Sequence, residues 1–240
     1  MRKRTTLSRR LFLAVTGGAL VAPSISLVAG EVPELLDHLL LGCNRLDRGI
    51  AFVEDHTGVR AAFGGVHPGR GTRNALLSLG ERRYLEIIAP DPDQPDAKDP
   101  LALHLKELSD PQIVGWAVHP GELSSFAKKL RDAGVAFDGP SPGSRKRADG
   151  RVLQWQTLTL KDNSSWLLPF FIEWSAGSLH PSADAPAGCR LIRFEAATPE
   201  PDHLAKTSEL LSLDLPITKG AKPQLRATIA GPKGEFSAAS

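Results

Sequence analysis

Two consecutive stretches of this chain carry the same order of hydrophobic patterns, and that recurrence limits the folds open to it more than any other feature. Residues 35–43 are an apolar run of strand length. Asp47 can cap a helix over residues 48–56, with Ile50, Phe52 and Val53 in its apolar positions and Gly58 as its stop. The glycine- and proline-rich stretch from Gly64 to Gly71 leads to a strand at 74–79, a Gly80-Glu81 turn and a second strand at 83–88. Pro90, Pro92, Pro95 and Pro100 read as a linker. The order then returns: a strand at 112–118, a helix over 122–133 with Leu123, Phe126, Ala127 and Leu130 on one face and Gly134 as its stop, and strands at 152–160 and 168–174. A shorter third unit follows, with a strand at 191–196, a helix at 202–211 and closing strands at 225–229 and 235–236. The repetition lies in the order of elements and not in residue identity.

The first 29 residues stand apart. They carry Arg2, Lys3, Arg4, Arg9 and Arg10 and no acid, followed by an apolar run of small residues. Ser8-Arg9-Arg10-Leu11-Phe12-Leu13 resembles the twin-arginine export signal, with Ala14 where that signal places a Lys, and Leu27-Val28-Ala29 is a small-residue cleavage sequence. The expectation is a signal peptide at 1–29 and an exported protein, periplasmic or secreted, with no stable membrane insertion after cleavage. An N-terminal anchor helix is the other reading of the same residues. Taking those five basic residues from 29 Lys and Arg leaves 24 against 27 Asp and Glu, a net charge of −3. A mildly acidic body offers no electrostatic reason to expect a nucleic-acid partner. The two cysteines, Cys43 and Cys189, are far apart; export would permit a pair, whereas the apolar setting of Cys43 reads as small core. No Walker loop, dinucleotide fingerprint or zinc-finger spacing occurs.

Five pieces carry a family resemblance: Leu36-Asp37-His38-Leu39-Leu40-Leu41; His67-Pro68-Gly69 with Gly71-Thr72 and Asn74-Ala75-Leu76; Tyr84-Leu85-Glu86-Ile87-Ile88-Ala89; Gly115-Trp116-Ala117; and Leu168-Pro169-Phe170-Phe171-Ile172-Glu173-Trp174. Together they resemble the vicinal oxygen chelate superfamily, and within it the glyoxalase-like domain proteins. The resemblance implies an α+β fold of repeated βαβββ modules, of the glyoxalase, bleomycin-resistance and dioxygenase type, curled around a common cavity. It places a glyoxalase-like domain at 32–189, with modules at about 34–90 and 111–175, and the shortened third unit at 190–240 on the same body.

Strand alternation gives candidate residues for such a cavity. His38 shares a face with Leu40 and Gly42, Asn74 with Leu76 and Ser78, and Glu86 with Tyr84 and Ile88. Glu173 is expected to look in from the second module beside Phe171. The resemblance implies His38, Glu86 and Glu173 as ligands of a divalent metal of the zinc, nickel, manganese or iron type, with His67 as a further donor. Glu86 or Glu173 would act as base. His67, Asn74, Phe171 and Trp155 would line a substrate pocket. The first strand of the second module offers only Ile113 or Val114 where metal-binding members carry a ligand, which removes most of the weight from a dioxygenase. Two functions follow: a metal-dependent lyase or isomerase acting on a small oxygen-rich compound, or a metal-free protein that binds or sequesters a small molecule. The bland alternatives are a hydrogen-bonding His38, glutamates paired with Arg73, Arg82 or Arg83, and a solvated basic loop at Arg145 to Arg147.

Overall fold

The computed structural model describes residues 32–147, 150–163 and 166–240. The expected signal peptide lies outside the described residues. The first module consists of β1 (Leu36–Gly42), α1 (Leu46–Thr57), β2 (Ala62–His67), β3 (Thr72–Ser78) and β4 (Tyr84–Pro90). A helix α2 (Pro100–Glu107) connects it to the second module: β5 (Gln112–Val118), α3 (Leu123–Asp132), β6 (Phe137–Lys146), β7 (Val152–Leu160) and β8 (Phe170–Trp174). The third unit comprises β9 (Arg190–Thr198), α4 (Pro201–Leu210), β10 (Ile217–Lys219), β11 (Gln224–Ala230) and β12 (Glu235–Ala239).

Eight strands form one sheet in the order β2-β3-β4-β1-β5-β8-β7-β6. Each module pairs its first strand parallel to its last, β1 with β4 and β5 with β8, and antiparallel β1 and β5 join the two halves. The sheet curls until its edges approach: a Cβ on Gly65 of β2 would lie 2.9 Å from the Arg145 side chain of β6. α1 and α3 cover the convex face. Leu39, Leu41, Ala75, Leu77, Leu85 and Ile87 form the core there, with Leu123, Phe126 and Leu130 of α3. A left-handed Gly58, φ 78°, ends α1 where the sequence placed its stop.

The third unit packs on the same convex side. Phe194 of β9 meets Trp116 edge-on, with ring centroids 5.1 Å apart, and Phe236 of β12 meets Phe52 of α1. Its strand order, β10-β9-β11-β12, differs from that of the modules because β9 pairs parallel with the strand directly after its helix. Both cysteines are buried and free. Among the described residues no helix is long and apolar enough to cross a membrane.

Four elements depart from the sequence reading. The glycine-rich stretch contains β2, because Gly64 and Gly65 can still donate to a ladder and a partner lies beside them. The proline linker contains α2, with Asp99 capping the Leu101 amide at 2.9 Å and Pro100 at the first helical position. The basic loop is the end of β6, and the short β10 lies in a segment to which the sequence reading assigned no element. β2, the end of β6 and β10 each depend on a distant pairing partner that local pattern does not reveal, whereas α2 carries a local start signal in Asp99-Pro100.

Candidate active site

A β-bulge sets the geometry. On β1, Leu36 pairs with Val118 and His38 with Ala117, so Asp37 is the extra residue. Strict alternation would send Asp37 and His38 to opposite faces, but here their side chains meet: His38 Nδ1 donates to Asp37 Oδ1 at 2.7 Å. Asp37 Oδ2 accepts from Trp174 Nε1 at 3.1 Å and His180 Nε2 at 3.2 Å. The Ser182 amide donates to His180 Nδ1, which leaves Nε2 as the protonated nitrogen facing Asp37. Tyr84 stacks on the His38 ring at 4.4 Å, and Phe170 meets it edge-on. The imidazole is thus held in both position and tautomer, with Nε2 turned to Glu86 Oε2 at 3.5 Å.

Glu86 lies on β4 beside β1. Asn74 Nδ2 donates to Glu86 Oε1 at 2.6 Å, and His67 Nε2 is 3.7 Å from the same oxygen. The amide orientation of Asn74 is fixed from the far sheet edge, where Arg145 Nη1 donates to its Oδ1 at 2.7 Å. Asp37 is buried at 0% exposed, Asn74 at 1%, His38 at 2%, Arg145 at 3% and Glu86 at 7%, while His67, Trp174 and His180 are partly buried. Burial alone would raise the Asp37 pKa, but the hydrogen bonds from His180 and His38 outweigh it and hold the group far below the usual carboxylate range. Burial likewise opposes ionisation of Glu86, yet His67, His38, the Asn74 bond and Arg145 hold it below its ordinary 4.5. Burial pushes His67 below its ordinary 6.5.

All three shifts are downward, so each group contributes stability above its unfolded value and loses it as pH falls through the folded one. Acidification should therefore destabilise the protein in two stages. The first begins near pH 6.5, where unfolded His67 takes up protons and folded His67 resists them. The second begins below about pH 4.5, where Glu86 and then Asp37 are forced to protonate. Urea midpoints measured from pH 8 to 3 should fall monotonically; a maximum near pH 4 would contradict these assignments.

Of the expected site residues, His38, His67, Asn74 and Glu86 come together. Trp155 joins them indirectly, packing at 5.3 Å against Trp174. Glu173 and Phe171 do not. Both face the convex side, because alternation along β8 turns Phe170, Ile172 and Trp174 inward. Phe171 is fully buried against Phe126 of α3. Glu173 Oε2 accepts the Leu123 amide at 2.7 Å, supplying α3 with the cap that its own Glu122 does not provide. Glu173→Ala should therefore cost roughly 1 kcal/mol of stability through the lost cap and leave chemistry at His38 untouched. A thermal melt with a parallel activity assay checks this.

The residues missed from sequence are Asp37, Tyr84, Arg145, Trp174 and His180. Asp37 was hidden by the bulge, and Arg145 by its place in a run of charges that otherwise reads as solvated. For His180 no signal was present.

The expected metal set fails on this geometry, since Glu173 is spent on α3. Val114 occupies the corresponding place on β5 and packs with Leu40, Ile88 and Leu105. Among the described residues no group of three or more His, Cys, Asp or Glu side chains is arranged to hold a metal ion. The concave face is closed by Leu105 of α2 over Leu40 and Ile88 and, beside Asp37, by the segment bearing His180. Open clefts of about 470 and 360 Å³ lie elsewhere, one around His119 and Arg82, the other around Arg73 and Lys106. Neither contains His38, Glu86 or Arg145, and a cleft without convergent chemistry does not displace the buried cluster as the candidate site.

Two βαβββ modules joined into one curled sheet, with a polar cluster on its concave face, define a vicinal oxygen chelate fold. The sequence matches the glyoxalase-like domain family over residues 36–211, and the chain belongs to that family. The match runs past the second module through β9 and α4. No curated protein matches the chain. Among solved structures it is similar to a hypothetical protein from Staphylococcus aureus, with a TM-score of 0.61 and 16% identity over 85% of this chain and 84% of that one. It is also similar to methylmalonyl-CoA epimerase from Mycobacterium tuberculosis, with a TM-score of 0.45 and 22% identity over 58% and 87% of the two chains. At 16% identity the likeness to the Staphylococcus aureus protein is one of fold.

Proposed function

We propose that the protein is an enzyme, a lyase or isomerase that moves a proton on a small oxygen-rich compound, with His38 and Glu86 as the proton-handling pair. The observation that carries this reading is the Asp37–His38–Glu86 line: Nδ1–H is held by one carboxylate and Nε2 faces a second at 3.5 Å. An imidazole so oriented presents its basic nitrogen beside Glu86 on the concave face, and that carboxylate stabilises the imidazolium formed when a proton is taken. Asn74 donates to Glu86 from the other side, and His67 Nε2 flanks the same oxygen at 3.7 Å. Tyr84 and Phe170 exclude water from the ring.

The test is hydrogen–deuterium exchange at carbon, followed by NMR, on a panel of small 2-oxo and 2-hydroxy carbonyl compounds. The parent should exchange at least one of them, and His38→Gln and Glu86→Gln should each slow that exchange by roughly 10²–10⁴-fold. A parent that exchanges none of the panel overturns the reading.

The second reading is a protein that sequesters a small molecule, and Val114 in place of a second-module ligand favours it. Ligand binding unaccompanied by exchange would select it. We propose also, on the first 29 residues alone, export by the twin-arginine route; Arg9→Lys with Arg10→Lys should leave the precursor in the cytoplasm.

A further inference from the structure

Among the described residues, Arg145 is the one charged group of the cluster with a buried donor left unpartnered. Its side chain is 3% exposed. Nη1 is committed to Asn74, yet Nε is buried with no hydrogen-bond partner. Among the described residues no carboxylate forms an ion pair with it. A buried, unpaired guanidinium donor is costly and is stable only if something else offsets it.

The surroundings are shaped to hold this guanidinium. β2 passes over it with two glycines. A Cβ at Gly64 would fall 2.7 Å from Arg145 Nη1 and 2.4 Å from Asn74 Oδ1, and one at Gly65 would fall 2.9 Å from Arg145 Cγ and Cδ. Any larger residue would push the guanidinium out of the seam. Through Asn74 the same arginine reaches Glu86, so one face of the group is tied to the proton-handling pair and Nε is left over.

We propose that Arg145 is the anion-recognition group of this site and that the substrate is a small carboxylate. The inference rests on the proton-transfer reading for the word substrate, but not for the binding itself. A guanidinium offers two parallel N–H donors at the spacing of carboxylate oxygens. The charge also decides the class. A carboxylate adds one negative charge beside ionised Glu86, whereas a phosphate dianion would add two in the same buried setting.

Calorimetric titration of the protein with acetate tests this, with acetamide and inorganic phosphate as comparison arms. Acetate should bind saturably, and acetamide and phosphate at least tenfold more weakly. Arg145→Met should weaken acetate binding by at least tenfold, and Arg145→Lys by less. Gly64→Ala, which leaves Arg145 in the chain but displaces it from Asn74, should weaken acetate as Arg145→Met does, and it keeps the test decisive if the methionine variant does not fold. A parent that binds acetate no better than acetamide overturns the proposal, as does an Arg145→Met protein that binds acetate like the parent. The two readings fail separately. Acetate binding retained in a parent without carbon exchange removes only the proton transfer. Exchange with unchanged KM in Arg145→Met removes only the anion site.

Discussion

Asp37→Asn should abolish most of the activity and a large part of the stability with one atom changed. Asp37 accepts from His38, Trp174 and His180. An asparagine has one acceptor oxygen for these three donors and brings two donors of its own. If its amide nitrogen faces His38, the ring must present a lone pair at Nδ1 and a proton at Nε2, and the base is lost through the wrong tautomer. If its oxygen faces His38, the donors of Trp174 and His180 are left opposite an NH₂ group. Exchange at carbon should fall roughly 10²–10⁴-fold. Unfolding free energy should fall by about 3–5 kcal/mol, as expected when one member of a buried charged network is removed. Urea unfolding and the exchange assay, run on the same preparation, read both. A variant with parental exchange would show that Asp37 does not set the tautomer of His38.

Trp116→Ala should be the most damaging change on the convex side. Trp116 is fully buried at the seam between the two modules, since Leu39 on β1 is its cross-strand partner. Its indole Nε1 donates to Leu167 O at 3.0 Å, and its ring receives Phe194 from the third unit. Deleting it leaves a cavity, an unpaired carbonyl and a loosened third unit, for a loss of about 3–5 kcal/mol. Trp116→Phe keeps most of the volume and loses the hydrogen bond, so it should cost distinctly less. A loss below about 1 kcal/mol for the alanine variant, well under the range for deleting a core aromatic, would mean that the third unit does not lean on this residue.

The modules were legible in the sequence because their strands alternate cleanly. Leu39 and Leu41 against His38 and Leu40, Ala75 and Leu77 against Asn74 and Leu76, and Leu85 and Ile87 against Glu86 all fall on the faces that period two assigns. The same rule misplaced Glu173 through its starting phase. Beside Phe171 it had to share the face of Phe171, and that face turned out to be the one under α3. In β1 the rule failed for Asp37 because a bulge interrupts the period.

What the sequence by itself determined is therefore the set of elements with strong local pattern and, on the first module, which residues share the concave face: His38, Asn74 and Glu86. These follow from side-chain periodicity and turn chemistry, which act over a few residues. What only the tertiary structure decided is which groups from distant strands arrive beside them. Arg145 lies 71 positions from the Asn74 it fixes, and His180 lies 143 positions from Asp37. Their meeting depends on the curl of the whole sheet, on the glycines that let its edges approach, and on the segment that folds back over the cluster. No local rule carries that information, since the energy that selects it comes from closing the sheet and burying its faces together.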